Sequence, residues 1–247
     1  MFKNQFVFPV AIFSAAIIMA TAIVGGTFYK VKSLSDLISV TGSAQKSITS
    51  DVVKWQASFS RNVGANALKQ GNDQIKNDLN ETLKFLKDNG VEEKDITVFP
   101  VSINPTYEQA EGKYYYGGGG VIVGYNLVQN IRVESGDVRK ITDLANNTGP
   151  LIDQGILFSS QPLEYYYSKV ADLKVEMLAE ATKDARARAE KIAESAGSGL
   201  GGIRAASMGV MQITPVNSTE ISDYGYYDTS SVEKQINAIV KASFSLQ

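Results

Sequence analysis

The chain has 247 residues, of which 44% are hydrophobic and 20% are charged, a composition typical of a folded protein. Lys and Arg total 24 against 26 Asp and Glu, so the net charge of -2 gives no general basic surface for nucleic acid. The chain has no His and no Cys. This excludes thiol nucleophiles, histidine acid–base chemistry, Ser-His-Asp triads, disulfides and the usual zinc sites.

The first predicted element is the segment from Phe6 to Phe28, which contains no charged residue. A helix needs about 20 mostly apolar residues to cross a bilayer, whereas a cleaved signal peptide has an apolar part of about 7–15. The length favours a retained membrane anchor. Ala20-Thr21-Ala22 resembles a cleavage site, so a signal peptide remains the alternative. We assign residues 1–37 to the anchor, or signal peptide, and a tether.

The remaining residues, 38–247, are expected to form one domain outside the cytoplasm. The absence of Cys and the Tyr-rich loops suit that location. The positive-inside rule does not decide the orientation, because Lys3 precedes the apolar segment while Lys30 and Lys32 follow it.

The domain is predicted to begin with two strands and a helix. Alternating apolar and polar residues predict strands at Ile38–Ala44 and Val53–Phe59. Apolar residues at helical spacing then predict an amphipathic helix over about Ala65–Asp88. Gly90 follows where a left-handed C-cap is wanted.

The middle of the domain is predicted to be a long hairpin, a short helix and a strand. Asp95–Tyr107 and Val121–Glu134 form the hairpin, joined by a loop rich in Tyr and Gly. Apolar spacing predicts a short helix around Ile141, ended by Gly149-Pro150. A further strand is predicted at Ile156–Tyr166.

The clearest helix runs from about Lys169 to Ala196. Its predicted apolar stripe is Ala171, Val175, Leu178, Ala185, Ala189 and Ile192. The opposite face carries the i,i+4 pairs Arg186–Glu190 and Asp184–Arg188, which we interpret as a solvated surface. The small alanines would let the helix lie close to a sheet.

Two strands end the chain, Ile203–Ile213 and Val232–Phe244. The predicted order is therefore ββαββαβαββ with two long helices. Paired strands between helices indicate an α+β fold with a mainly antiparallel sheet.

The chain resembles the SIMPL-domain family of bacterial envelope proteins over about residues 38–246. The residues that carry the resemblance are Ile38-x-Val40-x-Gly42, Leu86-x-x-x-Gly90-Val91, Asp95-Ile96, Pro105-x-Tyr107, Gly124-Tyr125, Ala185, Arg188-Ala189, Ile192-Ala193, Gly197 and Leu200-Gly201. Tyr165–Ser168, and Asp228–Ser231 before Glu233-Lys234, resemble a sub-branch. The resemblance implies a secreted or membrane-anchored α+β protein of the bacterial envelope, here periplasmic, with a loose link to envelope stress. It brings no catalytic residues.

Three sequence motifs resemble functional sites, but each lacks a feature that the functional site requires. Gly197–Gly202 contains G-x-G-x-x-G, but it follows a helix and leads into a strand, the reverse of a dinucleotide site. Ser-x-x-Lys occurs at Ser43–Lys46 and Ser231–Lys234, without the partner motifs of serine acylases. Glu220, Asp223 and Asp228 share a polar loop but lack the calcium-loop order. We expect no catalytic, cofactor or metal residues.

Nine of the 12 tyrosines lie in three clusters. These candidate interface residues are Tyr114, Tyr115, Tyr116, Tyr165, Tyr166, Tyr167, Tyr224, Tyr226 and Tyr227. Tyr is favoured at interfaces because it combines apolar area with a polar tip. The equal alternative is that every second Tyr packs on the sheet and the others lie on its rim.

The first hypothesis is a non-enzymatic, membrane-anchored envelope protein whose domain forms a homo-oligomer or binds other, unidentified envelope partners. The second is an envelope hydrolase that uses two carboxylates facing each other across a cleft. The third is a small-molecule binder with a Tyr-lined pocket.

Overall fold

The computed structural model describes residues 7–33, 36–108, 121–218 and 222–247. The helices are α1 Val7–Ser33, α2 Leu68–Asp88, α3 Val138–Asn146, α4 Gly149–Asp153 and α5 Val170–Ser195, with a 3-10 turn at Glu93–Asp95. The strands are β1 Leu37–Thr49, β2 Val52–Gly64, β3 Ile96–Val98, β4 Ser102–Glu108, β5 Val121–Ser135, β6 Leu157–Ser160, β7 Glu164–Tyr166, β8 Leu200–Met208, β9 Gln212–Pro215, β10 Tyr226–Tyr227 and β11 Glu233–Leu246. The α+β class with mainly antiparallel strands is confirmed.

The strands form two sheets rather than one. Sheet 1 has the order β1-β11-β9-β10, with β8 also paired to β11. Sheet 2 has the order β3-β5-β2-β6, with β4 on β5 and β7 on β2. The pairing of β4 with β5 confirms the predicted hairpin, although its Tyr- and Gly-rich loop, residues 109–120, lies outside the described residues.

Sheet 2 packs its apolar face on α2, α3 and α4. The predicted alternation of β2 is confirmed, because Val53, Trp55, Ala57 and Phe59 are all buried in this core. Gly90 adopts a positive φ of 77° just after α2, as the C-cap prediction requires.

The predicted apolar stripe of α5 is right at Ala185 and Ala189 but wrong at its other four positions, which are exposed. The buried residues are Leu173, Met177, Ala181, Ala185, Ala189 and Ala193, a regular i,i+4 row. The larger residues Val175, Leu178 and Ile192 are exposed. A close approach between the helix and sheet 1 selects the small residues, so side-chain size was the misleading signal.

Gly42 of β1 is the point of closest approach. A Cβ built on Gly42 would lie 2.7 Å from the Cβ of Ala185, and nearer still to the carbonyl oxygen of Ala181 and the amide nitrogen of Ala185. The backbone of the helix therefore rests directly on the strand. The predicted role of the alanines is confirmed at Ala185 and Ala189.

Three predicted strands are each divided in two. The breaks fall at residues 99–101, 161–163 and 209–211, and they contain Pro100, Pro162 and Gly209. Proline has no N–H for a ladder, and glycine weakens a strand interior. Gly149-Pro150 does not simply end α3 but begins α4, where proline is well placed in the first turn.

Helix α1 covers most of the segment for which an anchor is predicted. Its side chains from Ile12 to Phe28 are all exposed. Within the described part of the chain, no helix combines the length and apolarity needed to cross a membrane.

Candidate functional site

A completely buried lysine lies where the two sheets meet. Lys234 of β11 has no solvent-exposed surface. Its Nζ donates to the backbone carbonyls of Tyr165, at 2.7 Å, and of Asp228. Because Tyr165 belongs to sheet 2 and Lys234 to sheet 1, this side chain links the two sheets.

The carboxylate of Asp228 is the counter-charge. Its Oδ2 lies 3.9 Å from the Nζ of Lys234, and the residue is 2% exposed. Oδ1 accepts hydrogen bonds from the backbone N–H and hydroxyl of Ser230, and Oδ2 accepts from those of Ser231. The segment Asp228–Ser231 is thus folded around its own carboxylate.

Burial and hydrogen bonding act differently on the two charged groups. Burial lowers the pKa of Lys234, and the nearby charge of Asp228 only partly opposes this effect. Burial alone would raise the pKa of Asp228. The hydrogen bonds from Ser231 and Ser230, together with the charge of Lys234, outweigh burial and hold that pKa below its ordinary value. Asp228 is therefore ionised at neutral pH.

Backbone and side-chain hydrogen bonds near this pair fix the Ser50–Asp51 connection, which runs from β1 of sheet 1 to β2 of sheet 2. The N–H of Ser50 donates to the carbonyl of Val232 at 2.9 Å. The N–H and hydroxyl of Ser168 donate to the carboxylate of Asp51 at 2.6 and 2.7 Å. We call the set Ser50–Asp51, Tyr165–Ser168 and Asp228–Lys234 the inter-sheet junction.

Two of the three tyrosine clusters meet at this junction. The rings of Tyr166 and Tyr227 lie 6.1 Å apart, and the hydroxyl of Tyr227 accepts a hydrogen bond from the N–H of Tyr167 at 3.2 Å. Tyr226 and Tyr227 are 38% and 37% exposed, and Tyr224 is 99% exposed. Tyr114–Tyr116 lie outside the described residues.

Tyr165 has a different environment from its neighbours. It is buried in the core of sheet 2, and its hydroxyl lies 3.1 Å from the Oγ1 of Thr142. In this conformation it is unavailable to a partner. The remaining described members of the candidate interface are Tyr166, Tyr167, Tyr224, Tyr226 and Tyr227.

Neither Ser-x-x-Lys match has the geometry of a reactive serine–lysine pair. Lys234 is buried against Asp228, and Ser231 donates its hydroxyl to Asp228 rather than to the lysine. Lys46 instead pairs with Glu176 of α5 at 2.6 Å. Neither copy, as the structure describes it, is the serine–lysine pair of an acylase.

The glycine and acidic motifs also have structural explanations. Gly197 has a positive φ of 73° directly after α5, and the N–H of Ser198 donates to the carbonyl of Ala193, so this motif is a helix C-cap. Asp228 is turned into the junction, whereas Asp223 is exposed. Glu220 is outside the described residues.

Four open clefts on the surface have no tyrosine among the described residues that line them. The first lies between α2 and the α3–α4 region and contains Glu81, Asp88 and Asp143 with Lys84 and Lys140. The second lies on sheet 2, the third between β1 and α5, and the fourth beside residues 161–164.

The burial of Lys234 could have been predicted from the sequence. Side chains alternate along β11, so Lys234 lies on the same face of the strand as the buried Ile236, Ala238, Val240 and Ala242. A lysine on the inward face of a strand implies a partner, because an isolated buried charge is very costly. The serines and aspartate just before it supply that partner.

The molecule is therefore a two-sheet α+β protein in which the buried Lys234 of sheet 1 is hydrogen-bonded to Tyr165 of sheet 2. The chain belongs to the SIMPL family, described as a protein of unknown function (DUF541), which matches residues 38–244. The resemblance seen in the sequence is thus confirmed. No curated protein matches the chain.

Proposed function

We propose that this is a non-enzymatic protein of the bacterial envelope, held to the membrane by its N-terminal helix and assembling with copies of itself. The observation that carries the proposal is the uncharged segment Phe6–Phe28. Eight large apolar side chains between residues 12 and 28 are exposed: Ile12, Phe13, Ile17, Ile18, Met19, Ile23, Val24 and Phe28. Such a surface is unfavourable in water and is matched by lipid.

The location of residues 38–247 on the outer side of the membrane is part of the proposal. It is supported by the absence of Cys from the chain and by the resemblance to secreted and membrane-anchored proteins. The link to envelope stress rests on that resemblance alone.

Self-assembly is supported by the tyrosine surface at the inter-sheet junction. Tyr166 and Tyr227 lie beside each other and are partly exposed, Tyr226 is also exposed on the same short strand as Tyr227, and Tyr224 extends fully into solvent. Aromatic residues of this kind are enriched in interfaces. A shared anchor raises the local concentration of copies, and homo-oligomers are usually closed and symmetric.

Two other functions have less support. A carboxylate hydrolase needs a pair of acids, one of them with a raised pKa, across a cleft. The shifted carboxyl groups of the described residues, Glu92, Asp137, Asp184 and Asp228, all have lowered pKa values. A binder with a Tyr-lined pocket would need tyrosines in a cleft, and the four described clefts contain none.

Membrane attachment is tested by alkaline extraction of cells that express the full chain. We expect the protein to stay with the membranes through a carbonate wash. The double variant Ile17→Lys, Ile18→Lys should be released, because each lysine at the centre of a span costs about 3 kcal/mol. Val175→Lys, at an exposed apolar position on α5, is the matched control and should stay bound.

Release of the wild-type chain by carbonate would contradict the anchor. The intact mass of the protein decides between anchor and signal peptide. A retained anchor leaves the chain complete, whereas cleavage after Ala20-Thr21-Ala22 would remove residues 1–22 and with them most of the apolar segment.

A further inference from the structure

The cleft on sheet 2 differs from the other three in its chemistry. It has a volume of about 720 Å³, within the usual range for small-molecule sites. Its floor is formed by β2 and β5, and the segment Phe99–Ser102 and Gln161 form its walls. Amide and hydroxyl side chains line it: Gln56, Ser58, Ser102, Asn130 and Gln161.

Among the described residues that line this cleft, Arg132 alone carries a charge. Its guanidinium lies over the ring of Phe99, 5.1 Å from the centroid. Its Nε is buried and has no hydrogen-bond partner among the described residues. The residue as a whole is half-buried and lines the cleft.

Among the described residues, no carboxylate forms an ion pair with Arg132. Glu134, two residues along β5, pairs with Lys54 at 3.4 Å. The other three clefts contain carboxylates together with lysines. Among these clefts, only the one on sheet 2 has a cation and no carboxylate in its lining.

Arginine is the side chain best suited to bind a carboxylate, because the N–H donors of its planar guanidinium group match the two carboxylate oxygens. The aromatic ring beneath Arg132 holds the guanidinium plane, and the surrounding amides and hydroxyls offer hydrogen bonds to a polar ligand. We propose that this cleft binds a small organic carboxylate that also carries hydroxyl groups, with Arg132 binding the carboxylate.

The test is isothermal titration of the detergent-solubilised full chain with glucuronate as the probe. Glucose carries matching hydroxyls without the carboxylate, and inorganic phosphate is an anion of different geometry. We expect glucuronate to bind at least about tenfold more tightly than glucose, as expected for hydrogen bonds to a charged group. Phosphate should bind more weakly than glucuronate.

Variants locate the binding. Arg132→Gln should weaken glucuronate binding about tenfold or more, and Arg132→Lys should recover only part of it, because lysine lacks the planar fork. Arg204→Gln, at an exposed position on sheet 1, is the matched control and should bind like wild type. Circular dichroism verifies that each variant folds.

Three results would overturn the proposal: no binding of glucuronate, equal affinity for glucuronate and glucose, or an unchanged affinity in Arg132→Gln. Phosphate binding as tightly as glucuronate would also overturn the assignment to a carboxylate. The ligand comparison uses only the wild-type chain, so it decides the matter even where a variant fails to fold.

Discussion

Replacement of Lys234 by methionine is expected to lower the free energy of unfolding by about 3–5 kcal/mol, the usual effect of removing one partner of a buried ion pair. Asp228 would keep its serine hydrogen bonds but lose its counter-charge. The carbonyls of Tyr165 and Asp228 would lose a donor at the inter-sheet junction. Denaturant unfolding of the full chain in detergent measures the change.

Lys241→Met is the matched control, because Lys241 lies on the same strand but is exposed. It should change stability by no more than about 0.5 kcal/mol. Equal effects of the two substitutions would contradict the structural role of Lys234.

Asp228→Asn adds a pH test of the same pair. The folded-state pKa of Asp228 is lowered. Its stabilisation is therefore fully present above the unfolded value of about 3.9, and it is lost as the pH falls through the folded value. The stability difference between wild type and this variant should be large at pH 7 and shrink below about pH 4. A stability difference that stays constant with pH would contradict a lowered pKa of Asp228 in the folded protein.

Gly42→Ala is expected to destabilise the protein by about 3 kcal/mol, at the upper end of the usual range for overpacking. The added methyl group meets the backbone of α5 at Ala181 and Ala185, which cannot rotate away as a side chain can. The helix must shift from sheet 1, so its amide protons should also exchange faster. Denaturant unfolding and hydrogen exchange measure the two effects.

Gly202→Ala is the matched control, because Gly202 also lies in sheet 1 but has open space at the Cβ position. It should leave stability unchanged or raise it by up to about 1 kcal/mol, since glycine is unfavourable within a strand. A Gly42→Ala protein as stable as wild type would mean that α5 does not rest on β1 as the structure shows.

Local patterns predicted the elements of this fold better than their assembly. Alternation in β2 and the spacing of α2 identified elements that each bury one face. The stripe of α5 was misplaced because Val175 and Ile192 look more like core residues than Ala181 or Ala193. Only the position of Gly42, distant in sequence, explains why small residues are buried there.

The two-sheet arrangement and the inter-sheet junction depend on contacts between distant segments. Lys234 and Tyr165 lie 69 positions apart, and periodicity within one segment does not report such a pairing. The sequence shows the tyrosine clusters, but it does not indicate that Tyr165 is buried and Tyr224 is exposed. Arg132 was not singled out, because a lone arginine on the polar face of a strand has no distinctive pattern.

Light scattering of the full chain in mild detergent, corrected for bound detergent, tests the proposed self-assembly most directly. We expect one discrete protein mass that is at least twice 26.7 kDa and a whole-number multiple of it. The triple variant Tyr224→Ser, Tyr226→Ser, Tyr227→Ser should give a smaller mass while remaining folded. A wild-type protein that stays at 26.7 kDa at every concentration would contradict the assembly.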